Sequence, residues 1–126
     1  MKLTNNFSKS EFECKSGEEM PSDVLYNVKQ LAVQLQAIRD YVGKPIRINS
    51  AYRSKAHNKL IGGVKTSQHI LGKAADITID TFTPDEVISI IENMLTNEML
   101  GGFHIGGLGS YRTFTHVDIR DKKARW

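Results

Sequence analysis

The sequence predicts an α+β fold, an antiparallel-leaning sheet with helices packed mainly on one face. Three observations carry that expectation. Leu25, Val28, Leu31, Leu35, Ile38 and Val42 recur at helical spacing. Two later segments alternate with a period of two: Ala75, Ile77 and Ile79 against Asp76, Thr78 and Asp80, then Val117 and Ile119 against His116, Asp118 and Arg120. Glycine pairs and helix-start signals punctuate the chain between them.

Taken in order, Ser8-Lys9-Ser10-Glu11 has the form of a capping box and opens a short helix. Pro21 precedes a longer helix from about Ser22 to Val42, whose apolar stripe is core and which Gly43 ends. Pro45-Ile46-Arg47-Ile48-Asn49 reads as a strand. Ser54 then opens a short helix through Leu60, with His57 expected at the surface. A strand follows over Ala74 to Ile79. Thr83-Pro84-Asp85-Glu86 starts the next helix with a threonine cap, a proline in the first turn and a glutamate three residues on. Val87, Ile88, Ile90, Ile91, Met94 and Leu95 form its buried side. Gly101-Gly102 and Gly106-Gly107 bracket a strand at Phe103-His104-Ile105 that leads through a turn to the His116 strand. The basic tail from Lys122 to Arg125 is expected to fray, with Trp126 either a docked anchor or disordered.

At 126 residues the chain suits one compact domain, 1–126, large enough for a core without disulfide staples. Cys14 is the lone cysteine, which excludes an intramolecular disulfide and a cysteine-rich metal site; it reads as a small packing residue.

The segment Ser67-Gln68-His69-Ile70-Leu71-Gly72-Lys73-Ala74-Ala75-Asp76, followed later by His116-Val117-Asp118, carries the chemistry. Two imidazoles and a carboxylate are a ligand set that leaves a fourth zinc position open for water. Asp76 and His116 lie on the polar faces of their strands, so His69, Asp76 and His116 converge if those strands are neighbours. The competing reading has His69 capping a loop, Asp76 paired with a surface lysine and His116 satisfied within its strand. Gly72, Ala74 and Ala75 favour the metal site, because they keep bulk away from the chain that links the first two ligands. The run Gly62-Gly63-Val64-Lys65-Thr66-Ser67 is glycine-rich but lacks the lysine and hydroxyl spacing of a phosphate loop, so nucleotide binding is rejected.

Four ordered runs, Ile48-Asn49-Ser50-Ala51-Tyr52-Arg53-Ser54, His57-Asn58 with Gly62-Gly63, Ser67-Gln68-His69 with Gly72-Lys73-Ala74-Ala75-Asp76, and Phe114-Thr115-His116-Val117-Asp118-Ile119-Arg120, resemble the zinc D-alanyl-D-alanine peptidase family. That family includes carboxypeptidases and the L-alanyl-D-glutamate endopeptidases of bacteriophage endolysins, and shares its fold with the Hedgehog signalling domain. The resemblance runs from about Phe7 to Arg120. It implies His69, Asp76 and His116 as zinc ligands, and Arg53 as the group that holds a substrate carboxylate or carbonyl beside the metal. A guanidinium, charged at any working pH and carrying a fixed donor fork, suits that role.

One position departs from the family pattern. Many members place an acidic residue three positions before the last histidine ligand, where this chain has Thr113. Asp118 is the nearest acidic substitute and is taken as the provisional general base that accepts a proton from zinc-bound water, with ligand orientation or a salt bridge to Arg120 or Arg53 as the alternatives. His104 and His57 are weaker candidates for a polar cleft, and Tyr111 is an aromatic that could donate to an oxyanion.

The resemblance implies a zinc-dependent peptidase acting on peptidoglycan stem peptides, with a phage-type endopeptidase preferred. The rivals are a D-Ala-D-Ala-type carboxypeptidase and a metal-binding but inactive phage structural or cell-wall-docking domain, the last favoured by Thr113. A net charge of +3, from 17 basic and 14 acidic residues, suits an anionic cell wall or simply a lysine-rich surface. No nucleic-acid partner is expected, no run is long enough to cross a bilayer, and a monomer is the simplest oligomeric expectation. Met1 to Phe7 lacks the apolar stretch of a signal peptide. The expectation is therefore synthesis in a cytoplasm and action at the cell wall after lysis, by delivery, or within a virion.

Overall fold

A computed structural model describes residues 1–100 and 105–126. The capping box at Ser8 yields a single 3₁₀ turn, Lys9–Phe12, with the Ser8 amide donating to Glu11 Oε2 at 2.7 Å. It carries Phe12 into the core. Helix α1 spans Ser22–Val42 and stops at Gly43, whose φ of 68° lets its amide turn back to the Arg39 carbonyl. Strand β1 (Ile46–Ser50), helix α2 (Lys55–Leu60), strand β2 (Ala74–Ile79) and helix α3 (Pro84–Thr96) follow. The Thr83 side chain caps α3 through the Glu86 amide, while Glu86 accepts from the Thr83 amide. The last elements are β3 (Gly107–Ser110), β4 (Thr115–Asp118) and β5 (Ala124–Arg125).

These strands form one sheet in the order β1-β2-β4-β3-β5. The first three pairings are antiparallel, but β5 lies parallel to β3, so the sheet is mixed and not the antiparallel-leaning one expected. The cause is the path of the chain. β3 and β4 form a hairpin, and residues 119–123 then reverse and cross to the outer edge of β3, so β5 runs in the direction of β3.

Alternation along the strands separates two faces. Ala75, Ile77 and Ile79 of β2, Val117 of β4 and Leu108 of β3 join Val28, Leu31, Leu35 and Ile38 of α1 and Val87, Ile91 and Met94 of α3 in one apolar cluster. Each large member contributes on the order of 1.5–3 kcal/mol by leaving water. The other face carries Asp76, His116 and Asp118. Among the described residues no helix is long and apolar enough to cross a membrane.

Two local expectations change. The strand expected at Phe103-His104-Ile105 falls largely outside the described residues; Ile105 is buried outside any strand, and β3 begins at Gly107. The tail does not fray: Ala124 donates to the Gly106 carbonyl, Trp126 to that of Leu108, and Arg125 pairs with Glu92 at 2.8 Å. Trp126 is docked.

Candidate metal centre

β2 and β4 are neighbours, with Asp76 directly opposite His116. That register places both side chains on the polar face. His69 comes from the loop before β2. Its ring Nδ1 lies 2.6 Å from the Ala51 carbonyl, and its own carbonyl accepts the Arg53 amide at 3.1 Å. The loop closes at Gly72, which has φ of 74° and packs so tightly on α1 that a Cβ would sit 2.7 Å from Val24 Cγ1.

His69 Nε2 and His116 Nδ1 each lie 3.2 Å from the same atom, Asp76 Oδ1. A carbonyl oxygen can only accept, so His69 carries its proton on Nδ1 and presents a lone pair from Nε2. His116 Nε2 lies 2.7 Å from Asp118 Oδ2 and donates to it, which leaves a lone pair on Nδ1. Burial opposes ionisation of Asp76, but the facing His116 and His69 rings, which donate to it and carry positive charge whenever they take up a second proton, outweigh burial and hold its pKa down to about 2. Three lone-pair-bearing atoms therefore face one another, an arrangement that is repulsive unless a cation sits among them. Bonds of about 2.0–2.1 Å to tetrahedral zinc require ligand atoms roughly 3.3 Å apart; both distances to Asp76 Oδ1 fit, and all three atoms lie within 4.8 Å of one another. A proton competes for the same lone pairs. Burial lowers the pKa of His116, but its contacts with Asp118 and Asp76 outweigh that and raise it.

Asp76 Oδ2 is taken by Arg53, whose Nη2 donates at 3.2 Å; this keeps Oδ1 turned to the imidazoles. A one-residue irregularity in β1, which puts Ser50 opposite Asp76, aims the following loop at this spot. Arg53 also donates to Ser50 Oγ and Asn58 Oδ1, leaving two of its five N–H groups for the cleft it lines.

Asp118 sits where a cleft-facing base would not. It is 0% exposed, does not line the cleft, and its carboxylate is held by His116 and by both Nε and Nη2 of Arg120. Burial opposes its charge, but these bonds outweigh burial and keep it well below the usual carboxylate range. Thr113 lies in the exposed hairpin loop. His57 is half-buried on α2 and does not line the cleft, and His104 lies outside the described residues.

The sequence reading named Tyr111 as a possible donor and Trp126 as a possible anchor, but not the wall they form together. The cleft has a volume of about 550 Å³. One wall is aromatic: Tyr111 stacks on Phe114 with ring centres 4.6 Å apart, and Trp126 donates from Nε1 to the Tyr111 hydroxyl at 2.8 Å. Trp126 also lies 4.9 Å from the His116 ring and beneath the Arg120 guanidinium. Gly109 and Gly107 make room for this wall, since a Cβ on them would strike Trp126 and the Asp118 carboxylate. Trp126 had a weak sequence signal as the one tryptophan; the Ala51 carbonyl had none, because any residue carries one.

The model of the peptidase M15 family matches residues 5–118. A 45-residue stretch, 35% of the chain, is 44% identical to the zinc D-Ala-D-Ala carboxypeptidase of Streptomyces albus G. It spans 18% of that protein's length.

Proposed function

The chain belongs to the peptidase M15 family, and from that premise we propose that it is a zinc-dependent peptidase, carried on one domain, that hydrolyses stem-peptide bonds of peptidoglycan. The observation that carries the reading is the convergence of His69 Nε2 and His116 Nδ1, each 3.2 Å from Asp76 Oδ1, in an open cleft. Zinc held there supplies Lewis-acid polarisation of a peptide carbonyl and acidifies water.

The chain's own residues do the rest. Arg53 offers its two remaining N–H groups to a substrate carbonyl or carboxylate, and its bond to Asp76 fixes that ligand's orientation. Asp118 acts as a positioning residue: it fixes the His116 tautomer and is itself fixed by Arg120. Tyr111 accepts from Trp126, so its own O–H is free to donate to oxygen in the cleft.

A phage-type endopeptidase is the preferred reading. A D-Ala-D-Ala-type carboxypeptidase is the second, favoured by the partial match to the Streptomyces protein. An inactive metal-binding domain is the third, favoured because Asp76 is the one carboxylate among the described residues lining the cleft. Digestion of purified sacculi by the zinc-loaded protein, with and without a chelator, tests all three. Chelator-sensitive release of peptides split inside the stem supports the endopeptidase, and release of free D-alanine the carboxypeptidase. No release with zinc bound overturns both in favour of the inactive domain.

A further inference from the structure

Each of the three guanidinium nitrogens of Arg53 donates to a different acceptor: Nε to Ser50 Oγ, Nη1 to Asn58 Oδ1 and Nη2 to Asp76 Oδ2. An arginine–carboxylate pair left to itself favours two parallel bonds, one to each oxygen. The pair here makes one, and Asp76 Oδ1 stays with the imidazoles. Both nitrogens that could complete a fork with Nη2 are engaged elsewhere, Nε by Ser50 and Nη1 by Asn58.

Asn58 is built for that hold. It is 2% exposed, and its Nδ2 donates to the Val64 carbonyl at 2.8 Å. A guanidinium can only donate and a carbonyl can only accept, so the order of the amide atoms is forced. A carboxylate in its place would set a charge against the Val64 carbonyl, and a hydrocarbon would leave both neighbours unmet. The Gly63 amide donates to the Asn58 carbonyl at 2.8 Å, and a Cβ on Gly63 would strike the Asn58 side-chain amide. Gly63 and Val64 line the metal cleft, so its rim, Asn58 and Arg53 form one linked unit.

We propose that Asn58 is a positioning residue: its amide, braced by the Val64 carbonyl, keeps Arg53 Nη1 off Asp76, so that Oδ1 remains available to a metal and one N–H on each of Nη1 and Nη2 remains for substrate. The substrate half rests on the peptidase reading; the hold on Arg53 and Asp76 stands apart from it.

The test uses the zinc-loaded full chain. Asn58→Leu keeps a branched outline and removes both bonds, whereas Asn58→Asp keeps an acceptor for Arg53 and loses the donor to Val64. Nitrogen-edited proton spectra of the Arg53 guanidinium read the hold directly, because an anchored group shows separate Nη resonances and a freely turning one shows their average. The parent should show separate resonances, Asn58→Asp should keep them, and Asn58→Leu should average them. Zinc affinity, read by chelator competition, should fall about tenfold or more in Asn58→Leu, the scale for a residue behind a ligand, and less in Asn58→Asp. Averaged resonances in the parent overturn the proposal, as does unchanged zinc affinity in the leucine variant. Equal losses in both variants also overturn it, since Asn58 would then act only by bracing the turn. If the leucine variant fails to fold, Gly63→Ala, whose Cβ displaces the Asn58 amide, is scored by the same two readouts, and no change in them overturns the proposal. Hydrolysis of soluble stem peptides is followed in the same samples. No hydrolysis by a parent with an anchored guanidinium removes the peptidase reading and leaves the hold on Arg53 standing. Hydrolysis by the parent, with Arg53 signals and zinc affinity unmoved in the variants, removes the proposal alone.

Discussion

His69 and His116 point at the same carboxylate oxygen from the same distance, 3.2 Å, yet they are held by different means. His116 stands in the middle of a sheet, with Asp76 opposite it on β2 and Gly109 opposite it on β3, and its far nitrogen is held by a buried carboxylate. His69 stands on a loop, fixed by a backbone carbonyl and by a left-handed glycine pressed on α1. Strand register is enforced by every core residue of the sheet, because a one-residue slip would turn Ile77 and Val117 out of the core. A loop has no such redundancy, so the His69 half depends on a few contacts that can be removed singly.

The largest expected effect treats both halves alike. His69→Ala and His116→Ala should each lose tight zinc binding and any chelator-sensitive hydrolysis, as metal analysis after dialysis would show. Full zinc occupancy in either variant would remove that residue from the ligand set. Zinc should also raise the unfolding free energy of the parent by about 2.7 kcal/mol at a hundredfold excess over Kd, and of neither variant.

The next effect separates the halves. Gly72→Ala forces a Cβ into left-handed backbone and onto Val24, and should cost about 1–3 kcal/mol of stability while loosening the His69 loop. Gly107→Ala drives a Cβ onto the Asp118 carboxylate and should cost a similar amount of about 1–3 kcal/mol through overpacking. Hydrogen exchange distinguishes them: Gly72→Ala should expose amides of 67–73 and leave β4 protected, and Gly107→Ala the reverse. Equal exposure of both regions in both variants would erase the distinction.

A smaller effect falls on the sheet half alone. Asp118→Asn keeps an acceptor for His116 Nε2 but loses the charge that holds Arg120, and should weaken zinc affinity by roughly 10- to 100-fold without unfolding the protein. A base that acted only on water would leave zinc affinity unchanged, so a competition titration with a chromophoric chelator decides between the two roles.

How much of this was legible in the sequence follows from the same contrast. Asp76 and His116 could be placed because apolar alternation on either side of them declares which face they occupy. The strand at Gly107–Ser110 was unread because its inward signal is confined to Leu108; Gly107 and Gly109 are there for what lies over them, Asp118 and Trp126, and alternation cannot register a missing side chain. β5 was unread because it is two residues long and basic, and what orders it is a distant acid on α3. Asp118 was read as the provisional base, with ligand support or a salt bridge as the alternatives. His116, Asp118 and Arg120 were seen to share a face, but the full burial of the carboxylate depends on packing that no local pattern reports.

The weakest effect tests that tail, which completes the sheet half by laying Trp126 beside His116. Arg125 donates from Nε and Nη2 to the two carboxylate oxygens of Glu92, and this bond, against a smaller opposing effect of burial, lowers the Glu92 pKa from its ordinary value of 4.5. A folded-state pKa below the unfolded one gives stability that is present above about pH 4.5 and is lost as pH falls through the folded value. With the Glu92 side chain 38% exposed, solvent screening limits the contribution to about 0.2–1 kcal/mol. Glu92→Gln should therefore destabilise the protein slightly in urea at about pH 7 and less at about pH 3, because the parent loses this contribution as pH falls toward and through its folded value. Trp126 is the sole tryptophan, so its emission reports the docking of the tail directly and should shift toward that of solvated indole in the variant at the higher pH. A penalty of equal size at both pH values would show that Glu92 supports the tail by packing and not by charge.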